Sequence, residues 1–497
     1  MRNDVSIGEL AVATMACATL EPGLESTKGF VPDPQGGNAF PNAKETSMKL
    51  SKYSGDLSGI DYLSLLVVDI HGAIHSVSLP RDYVSDKILK NGIGFDASNF
   101  GYAQVHKSDM VAIPDLSTGF VELQDDFKIL HAFCDVWTTD GQPFAQYPRT
   151  VARKAMEALR ASGAGDDIKM LVELEFYVFD DVRYSTTTGH SYYYVESAEG
   201  IGDDSADAPR FGLSKGYHRL APEDKYSRLR NEAVRAMEGA GIPVKYHHHE
   251  VAASQLEIEL NFISLVDAGD AVILSKWIIK SIADELGLYV TFMPKPMYRI
   301  AGSGMHVHQF IEKGGKSVFP GDGLYGLSQT GLAYTAGVLS HALSGSLLAW
   351  SNPSTNSYRR LVAGYEAPVS ATFAQGSRAA AVRIPGYLKK GEARIEFRTG
   401  DATANVYFFL SAMLLAGLDG IVRGLDPVAL GYASTKETPK NTFPTGLFHV
   451  LSGLNRDSAY LAAAFPRELI DSWIEMKKQE AEYVYNAPVP QEYELYF

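Results

Sequence analysis

The feature that most constrains this chain is a set of four short segments in which ionisable residues alternate with apolar ones. The segments are MLVELEFYVF, QLEIEL, GSGMHVHQF and ARIEFRTGD, and their ionisable residues are Glu173 and Glu175, Glu257 and Glu259, His306 and His308, and Arg394, Glu396 and Arg398. Successive side chains of a β-strand point to opposite faces, so each segment predicts a strand with one charged and one apolar face. A single strand of this kind usually has its polar face in solvent. Four in one domain favour a sheet that gathers the charges into one site.

The ligand types in these segments indicate a site for hard metal ions. Carboxylates predominate, and Glu250 adds another directly after the histidine run 247–249. Mg²⁺ and Mn²⁺ prefer such oxygen-rich sets, whereas zinc sites often use thiolates. Three adjacent histidines alone would more often mark a turn, and Arg394 with Glu396 alone could be a cross-strand ion pair. Metals held by acids, with arginines opposite, together indicate phosphoryl transfer.

Two glycine-rich segments resemble nucleotide-binding motifs but lack their context. Residues 314–317, GGKS, have the end of a P-loop, yet Phe310 stands at the position of its first glycine. Residues 321–326, GDGLYG, have the spacing GxGxxG, yet they lie outside any predicted strand-to-helix unit. We therefore expect ATP to be bound by the metals and arginines of the sheet itself.

Composition argues against several classes of partner. The formal net charge is −14, and the chain has no cluster of Lys and Arg. This charge argues against a nucleic acid or an anionic membrane as partner, so an anionic substrate would need local arginines. The only cysteines are Cys17 and Cys134, and no segment convincingly predicts a targeting peptide or a membrane span. We therefore expect a cytoplasmic protein without structural disulfides.

Length and patterning predict a short arm and two domains. Residues 1–55, rich in Gly, Pro, Ser and Asn, predict a poorly ordered arm. Residues 56–147 hold β-rich runs, including a hairpin around His71 and Gly72 and a strand in DDFKILHAFCDVW. A helix is predicted to begin at Pro148, and residues 148–497 then alternate short strands with long helices. One of these, NVYFFLSAMLLAGLDGIVRG, is apolar on nearly all sides, which predicts a buried helix.

Seven ordered segments of the chain resemble the glutamine synthetase family, specifically its bacterial-type dodecameric branch. They cover about residues 58–425, and the terminal QEYELYF is also similar. The resemblance implies an α+β fold, with a small β-grasp-like N-terminal domain before a larger catalytic domain of helices and a curved antiparallel sheet. The segments are FDASNFGYAQVHKSDM, VELEF, HHHEVAASQLEIE, PKPMYRIAGSGMHVHQF, NPSTNSYRRLVAGYEAPV, SRAAAVRIP and ARIEFRTGDATANVY.

The resemblance also implies which residues hold cofactors and substrates, while Glu259 is left as a structural residue. It implies at least two Mg²⁺ or Mn²⁺ ions in each active site. The substrate-side ion is matched by Glu175, Glu250 and Glu257, and the ATP-side ion by Glu173, His306 and Glu396. ATP and its phosphates are matched by His248, Phe262, His308, Arg378, Arg383 and Arg394. Glutamate is matched by Gly302, Arg360, Glu366 and Arg398.

The implied reaction joins glutamate to ammonia, giving glutamine, ADP and phosphate. Glutamate attacks ATP to form γ-glutamyl phosphate, and ammonia then displaces phosphate. Asp96 resembles the aspartate that binds ammonium, Glu366 the flap glutamate that closes the site, and Arg378 a further catalytic contact. Without the motifs, Asp96 would be a turn cap and Glu366 a surface charge. By resemblance the chain is a homo-oligomer, a dodecamer, in which Asp96 acts across a subunit interface.

Several positions depart from the family pattern. Ala301 replaces the usual asparagine, Phe310 a serine and Lys245 an acid, and the loop of Asp96 carries Asn99. Its GYAQ stretch also carries Tyr102, and no segment resembling the adenylylation site is visible near 425–445. The departures leave open a γ-glutamyl ligase that uses a larger amine. A catalytically silent homologue is a further alternative, although all six matched metal positions are intact.

Overall fold

Two large sheets and one two-stranded sheet organise the described part of the protein. A computed structural model describes residues 48–102, 108–202, 212–389, 391–433 and 441–497. The smaller sheet comes first in the chain, and its strands are joined by short connections and one helix, α1 (Asp86–Asn91). Its strands are β1 (Lys49–Lys52), β2 (Tyr62–Val68), β3 (Ile74–Pro80), β4 (Ile93–Asp96), β5 (Asp109–Pro114), β6 (Phe120–Gln124) and β7 (Phe127–Thr138).

The smaller sheet has the order β1-β6-β7-β2-β3, and β5 pairs with both β4 and β7. Strands β2 and β7 are parallel, and the other pairs are antiparallel. The predicted hairpin is confirmed, since β2 and β3 pair around a turn at His71 and Gly72. Gly72 has a φ of +87°, a conformation that glycine adopts at little steric cost.

Strand β1 shows that the sheet begins earlier than its composition predicts. Lys49 lies opposite Leu123 of β6, and the pairing continues to Lys52 opposite Phe120. These residues belong to the segment 1–55 that was predicted as a poorly ordered arm. Residues 1–47 of that segment lie outside the described residues.

Twelve further strands and ten helices follow within the described residues. The strands are β8 (Asp167–Phe179), β9 (Asp181–Thr186), β10 (Ser191–Glu196), β11 (Val244–His249), β12 (Gln255–Leu260), β13 (Ile263–Ser264), β14 (Tyr289–Thr291), β15 (Met305–Lys313), β16 (Lys316–Ser317), β17 (Phe373–Gln375), β18 (Val382–Ile384) and β19 (Ile395–Phe397). The helices are α2 (Pro148–Ser162), α3 (Ser227–Gly239), α4 (Leu265–Glu285), α5 (Gln329–Leu343), α6 (Leu348–Ser351), α7 (Ser357–Arg360), α8 (Val406–Arg423), α9 (Leu447–Arg456), α10 (Arg467–Tyr485) and α11 (Pro490–Tyr496).

The larger sheet has the order β11-β12-β8-β15-β19-β18-β17. Its pairs are antiparallel, apart from the parallel pair β17 and β18. All four segments with alternating charges are adjacent strands here, since they form β8, β12, β15 and β19. In the GGKS segment, Gly314 and Gly315 form a left-handed turn between β15 and β16, and Lys316 and Ser317 are β16 itself, so the segment is not a phosphate-binding loop. The predicted α+β fold is confirmed.

The helices supply the apolar layer behind this sheet. Helix α2 begins at Pro148, as predicted, and Gly163 in the left-handed conformation ends it. Helix α8 is apolar and long enough to cross a membrane by composition, but most of its residues are buried in the protein, as predicted for a core helix. Helix α5 crosses α8 closely at glycine. A Cβ on Gly337 would lie 2.1 Å from the Ala416 carbonyl oxygen, so no larger residue fits there.

A buried arginine joins the smaller sheet to helices α2 and α4. Arg149 of α2 donates to both carboxylate oxygens of Asp270, each at 2.9 Å, in a bidentate pair. The same guanidinium donates to Asp135 of β7 at 2.7 Å and to Asp115, directly after β5, at 3.1 Å. The Arg149 side chain is 1% exposed. Three acids from different elements are therefore fixed around one buried cation.

Candidate active site

The register of the larger sheet places four carboxylates in a square on one face. Glu173 and Glu175 of β8 lie opposite Glu259 and Glu257 of β12, respectively. Period-two alternation puts all four side chains on the same face, as the sequence predicts. Like charges directly opposite each other in a sheet are destabilising. The square therefore needs positive charge, and the neighbouring strands supply part of it.

Two histidines form hydrogen bonds with one of the four carboxylates, that of Glu173. His306 of β15 lies opposite Glu173, and its Nδ1 is 2.8 Å from Glu173 Oε2. His308 Nε2 is 2.8 Å from the other oxygen of the same carboxylate. Burial alone would raise the pKa of Glu173, but the hydrogen bonds to His306 and His308 outweigh it and hold the pKa well below its usual range. Glu173 is therefore ionised.

Glu396 is also ionised, although its side chain is fully buried. Arg383 of β18 donates to Glu396 Oε2 at 2.6 Å, and Arg398 donates to the other oxygen. His308 lies opposite Glu396 in the ladder, with Nε2 3.8 Å from Oε2. Burial opposes ionisation, yet His308 and Arg398 lower the pKa of Glu396 below its usual value. This half of the site therefore balances its negative charge with protein groups.

In the other half of the site, positive groups of the protein offset the charges of Glu250 and Glu257 poorly. Burial, and then the charge of Glu175, raise the pKa of Glu250 to about 7. Burial and the charges of Glu173 and Glu250 raise the pKa of Glu257 well above its usual range. The nearest base is His248, whose Nε2 is 3.6 Å from Glu257 and whose own pKa is lowered by burial. Carboxylates that resist ionisation in this way are a strong site for a cation.

The acids and histidines fit the two predicted metal ions, with one difference in grouping. One ligand atom from each of Glu173, His306 and Glu396 lies within 4.8 Å of the others, as predicted for the ATP-side ion. On the substrate side, the corresponding group is His248, Glu250 and Glu257. The predicted third ligand, Glu175, faces the same cavity, but its Oε2 accepts a hydrogen bond from the Gly304 amide at 2.8 Å.

A cavity of about 350 Å³ lies over this face. Arg360 is fixed at its wall, since it donates to the carbonyls of Thr399 at 2.8 Å and Arg398 at 3.1 Å. At Gly302, a Cβ would lie 2.5 Å from the Pro294 carbonyl oxygen, so this position requires glycine. The predicted site residues that line the cavity are Glu173, Glu175, His248, Glu250, Glu257, Gly302, His306, His308, Arg360, Glu366, Arg378, Arg383, Glu396 and Arg398.

Two predicted nucleotide contacts lie beside the cavity and not in its lining. The Arg394 guanidinium is 5.4 Å from the centre of the Phe262 ring, within the range of a cation–π contact. Arg394 also donates to the hydroxyl of Tyr387, which does line the cavity, at 3.0 Å. The Phe310 ring, which replaces the family's serine, is 5.1 Å from Phe262. The predicted contacts are therefore next to one another at one edge.

The predicted flap residue, Glu366, lies at the cavity wall in a strained conformation. Its φ is +58°, the left-handed region that non-glycine residues rarely adopt, and Gly364 two residues earlier has a φ of +100°. Between them, the Tyr365 ring lies 4.0 Å from the ammonium of Lys295. Lys295 in turn donates to the carbonyl of Ile300, beside the Gly302 turn. The segment around Glu366 is thus linked to the Gly302 turn through Lys295.

Asp96 is the one predicted site residue that lies apart from the others. It is exposed at the end of β4, where it accepts hydrogen bonds from Ser98 N at 2.9 Å and Ser98 Oγ at 3.1 Å. Hydrogen bonds from Ser108 and then Ser98 lower its pKa, so Asp96 carries a negative charge. Residues 103–107 of the same loop, and 434–440 of the segment searched for an adenylylation site, lie outside the described residues.

Several cavity residues were not predicted. The Tyr217 ring stacks on His218 at 4.1 Å and has the Arg378 guanidinium 5.9 Å from its centre. Gln255 donates to Glu175 at 3.3 Å and to the Gly302 carbonyl at 3.1 Å. Gln255 could have been found, because it lies in the matched segment AASQLEIE. Tyr217 and Tyr387 lie in irregular segments, where no periodicity marks a side chain that turns toward a site.

Comparisons with known proteins agree with this arrangement. The model of the glutamine synthetase catalytic domain matches residues 145–496, and that of the glutamine synthetase beta-Grasp domain matches residues 59–139. The chain is 36% identical to the glutamine synthetase of Nostoc sp. over 460 residues, and 36% identical to that of Aquifex aeolicus over 455 residues. Both alignments cover 88% of this chain and 96% of the relative.

Two solved structures are also similar to this chain over most of its length. The cryo-EM structure of Plasmodium falciparum glutamine synthetase matches with a TM-score of 0.82 and 25% identity, over 89% of this chain and 97% of that chain. Ligand-free GmaS matches with a TM-score of 0.70 and 27% identity, over 87% of this chain and 96% of that chain. With both domain models matched in order and curated relatives aligned over most of their length, the chain belongs to the glutamine synthetase family.

Proposed function

We propose that this protein is an enzyme that ligates glutamate to ammonia at the expense of ATP, through γ-glutamyl phosphate. The observation that carries this proposal is the charged face of the larger sheet. There, buried acids such as Glu257 and Glu396 lie under the same cavity as four arginines, Arg360, Arg378, Arg383 and Arg398. Acids can hold cations and arginines can hold carboxylates and phosphates, so the cavity suits two anionic substrates that must be brought together.

The metal ions in this proposal are Mg²⁺ or Mn²⁺, two or more in each site. Glu173, His306 and Glu396 would hold the ATP-side ion, and Glu175, Glu250 and Glu257 the substrate-side ion. The donor set supports hard cations, since it has five carboxylates and one imidazole. When bound, such ions neutralise the charge that develops on a transferring phosphoryl group.

The arginines and the glycine turn provide the other substrate contacts. We assign Arg360 and Gly302 to the backbone groups of glutamate, and Arg398 to its side-chain carboxylate. Arg360 donates to main-chain carbonyls and forms no direct ion pair with an acid within the described residues, so its guanidinium is available to an anionic ligand. Arg378, Arg383 and His248 are assigned to the phosphates, and Arg394, Phe262 and His308 to ATP beside them.

The second step requires a base and a closed site. Glu366 on the flap lines the cavity where it can screen γ-glutamyl phosphate from water. Asp96 is charged and exposed at a distance from that lining, which supports its proposed action on ammonium in the site of a neighbouring subunit. We accordingly propose a homo-oligomer, a dodecamer as in the bacterial-type branch, with active sites shared between subunits. A cytoplasmic location is proposed on the basis of composition.

A second candidate function is γ-glutamyl amide formation with a larger amine. Ala301 favours it, because the missing asparagine side chain leaves more room beside the Gly302 turn. The Ala301 carbonyl accepts a hydrogen bond from the Tyr177 hydroxyl at 2.6 Å, and the Ala301 side chain contributes only a methyl group to the cavity. The structural similarity to GmaS agrees with this alternative but does not favour it over ammonia.

The decisive experiment measures phosphate release from ATP with Mg²⁺ and glutamate, while ammonium is compared with a panel of primary amines. Release that requires glutamate and is fastest with ammonium, together with glutamine in the product, would support glutamine synthesis. Preference for an amine would move the function to γ-glutamyl amide formation. No turnover with any acceptor would refute both proposals and favour a catalytically silent homologue.

A further inference from the structure

The turn between β11 and β12 connects two acids of the proposed substrate-side ion. Glu250 begins the turn and Glu257 follows it in β12, and the Glu250 amide donates to the Gln255 carbonyl at 2.8 Å. Ser254, in the same turn, has a φ of +67°, in the left-handed region that non-glycine residues rarely adopt. Such a conformation persists only where the surrounding contacts enforce it. The positions of the two acids therefore depend on what holds this turn.

A buried carboxylate from a distant segment holds the turn at Ser254. Glu199 lies after β10, and its side chain is 0% exposed. Its Oε2 accepts a hydrogen bond from the Ser254 amide at 2.5 Å, and its Oε1 accepts one from the Lys225 amide at 2.9 Å. Hydrogen bonds to a charged acceptor are stronger than those between neutral groups. Glu199 therefore stabilises the left-handed conformation of Ser254.

A buried histidine holds the other end of the same turn. His249 Nε2 lies 2.8 Å from Glu199 Oε2, and its Nδ1 lies 2.7 Å from the carbonyl oxygen of Glu250. Both ring nitrogens therefore donate, one to the acid and one to the main chain of a proposed metal ligand. A Cβ on Gly216, next to Tyr217 of the cavity lining, would lie 2.5 Å from His249 Cε1. The ring is thus closely packed as well as hydrogen-bonded.

The protein already neutralises the cluster around this pair. One ligand atom from each of Glu199, Asp224 and His249 lies within 4.8 Å of the other two, as in a metal site. Asp224, however, accepts hydrogen bonds from Arg230 at 2.6 Å and from the Tyr226 amide at 3.1 Å. A cation here would have to displace a buried guanidinium and main-chain donors. The cluster is therefore better suited to hold the chain than to bind a metal ion.

We propose that Glu199 and His249 are positioning residues for the substrate-side ion, because together they hold the turn that brings Glu250 and Glu257 to one cation. They act through the main chain, at Ser254 and at Glu250, and not by contact with the ion. The inference rests on the proposed function, since the substrate-side ion is part of that proposal. It adds a second group of residues on which the affinity for this ion depends.

The experiment is a Mn²⁺ titration of the metal-free, full-length protein, with free Mn²⁺ measured by electron paramagnetic resonance. Glu257→Gln removes a ligand, so the ion that this variant loses is the substrate-side ion. Glu199→Gln is expected to bind that ion about 10–100-fold more weakly, the scale for loss of an outer partner at a metal, and to bind the ATP-side ion normally. Its phosphate release should recover as Mn²⁺ is raised to saturation, because every ligand is still present.

Asp224→Asn is the matched control, since Asp224 is buried in the same cluster but accepts its hydrogen bonds from Arg230 and Tyr226. It is expected to unfold at lower urea concentration and to bind both ions like the native protein. His249→Gln should weaken the same ion as Glu199→Gln does. The double variant should lose little more than either single variant, because the two residues act as a unit. Circular dichroism checks that each variant is folded.

Native-like Mn²⁺ affinity in Glu199→Gln would overturn the inference, as would additive losses in the double variant. An equal loss in Asp224→Asn would also overturn it, since the effect would then be general destabilisation. A further ion that is lost in all three single variants of the cluster would make the cluster itself a metal site. If the native protein released phosphate with glutamate and ammonium while Glu199→Gln kept its affinity, only this inference would fail. If the native protein bound no Mn²⁺ and released no phosphate, the proposed function would fail as well.

Discussion

Replacing Arg149 by Met should destabilise the protein far more than any loss of a surface charge. The guanidinium makes four hydrogen bonds to Asp115, Asp135 and Asp270, and it is almost fully buried. Methionine approximates the length of the side chain but leaves Asp270, itself 10% exposed, without its cation. Removing one partner from a buried ion pair costs about 3–5 kcal/mol, because the remaining charge is buried and uncompensated.

Arg153 provides a matched control on the same helix. It also contacts Asp115 and Asp135, both at 3.1 Å, but its side chain is 43% exposed. Exposed ion pairs contribute about 0–1 kcal/mol. Arg153→Met should therefore lower the free energy of unfolding by no more than about 1 kcal/mol, even though it removes two of the same acidic contacts.

The measurement is urea-induced unfolding at one protein concentration, followed by circular dichroism and tryptophan fluorescence. A fixed concentration is needed because assembly adds to apparent stability. A second variant, Arg149→Met with Asp270→Asn, should regain part of the loss, since it removes the uncompensated charge. If Arg149→Met were no more destabilised than Arg153→Met, the assignment of Arg149 as the buried link between the smaller sheet and α4 would be wrong.

Three further predictions concern the active site. Glu396→Gln should abolish glutamate-dependent phosphate release. The control Glu392→Gln, in the exposed part of the same segment, should retain this activity. Full activity of Glu396→Gln would refute the assignment of the ATP-side ion. Lys295→Met should increase the phosphate released per amide formed. Tyr365 then loses the ammonium 4.0 Å from its ring, so the proposed flap closes less well and water hydrolyses more of the γ-glutamyl phosphate. An unchanged ratio of phosphate to amide would count against a flap role. Mn²⁺ affinity should rise with pH through about 7, where Glu250 loses its proton and becomes a ligand; an affinity independent of pH between 6 and 8 would contradict the raised pKa of this carboxyl.

The sequence predicts the charged face well because period-two alternation is a local property. Glu173 and Glu175 must share a face on any strand, and the same holds for Glu257 and Glu259. Which acids lie opposite each other is a matter of register, and register depends on contacts between strands far apart in the chain. The resemblance to a family, and not the alternation itself, placed Glu175 and Glu257 at one ion.

Residues in irregular segments were harder to predict. Tyr217 and Tyr387 line the cavity from loops, where neither helical nor strand periodicity applies. The left-handed conformation of Glu366 cannot be inferred from its residue type, since glutamate rarely adopts it. Strand β1 was missed because its segment KLSK is short and polar, and it is held by backbone pairing to β6 more than by burial.

Glu259 is a buried charged residue to which the resemblance assigns no ligand role. It alternates with Ile258 and Leu260 in the same way as Glu257, yet it matches no family ligand and was assigned a structural role. The pattern of the sequence treats the two glutamates alike, and the geometry agrees, since both are buried and both face an acid on β8. The alternation, and not the resemblance, therefore predicts that Glu259 lies on the charged face.

The two halves of the charged face should also differ in their affinity for metal. Glu173 and Glu396 are already ionised by histidines and arginines, so a cation there competes with positive protein groups. Glu250 and Glu257 resist ionisation, so a cation there relieves repulsion that the protein leaves unbalanced. Above pH 7 the substrate-side ion should consequently bind more tightly. When Mn²⁺ is removed stepwise with a chelator, the ion that the native protein releases last is the most tightly bound one. This tightly bound ion should be absent from Glu257→Gln and still present in Glu396→Gln. The opposite assignment would show that ligand geometry, and not the local balance of charge, sets the order of binding.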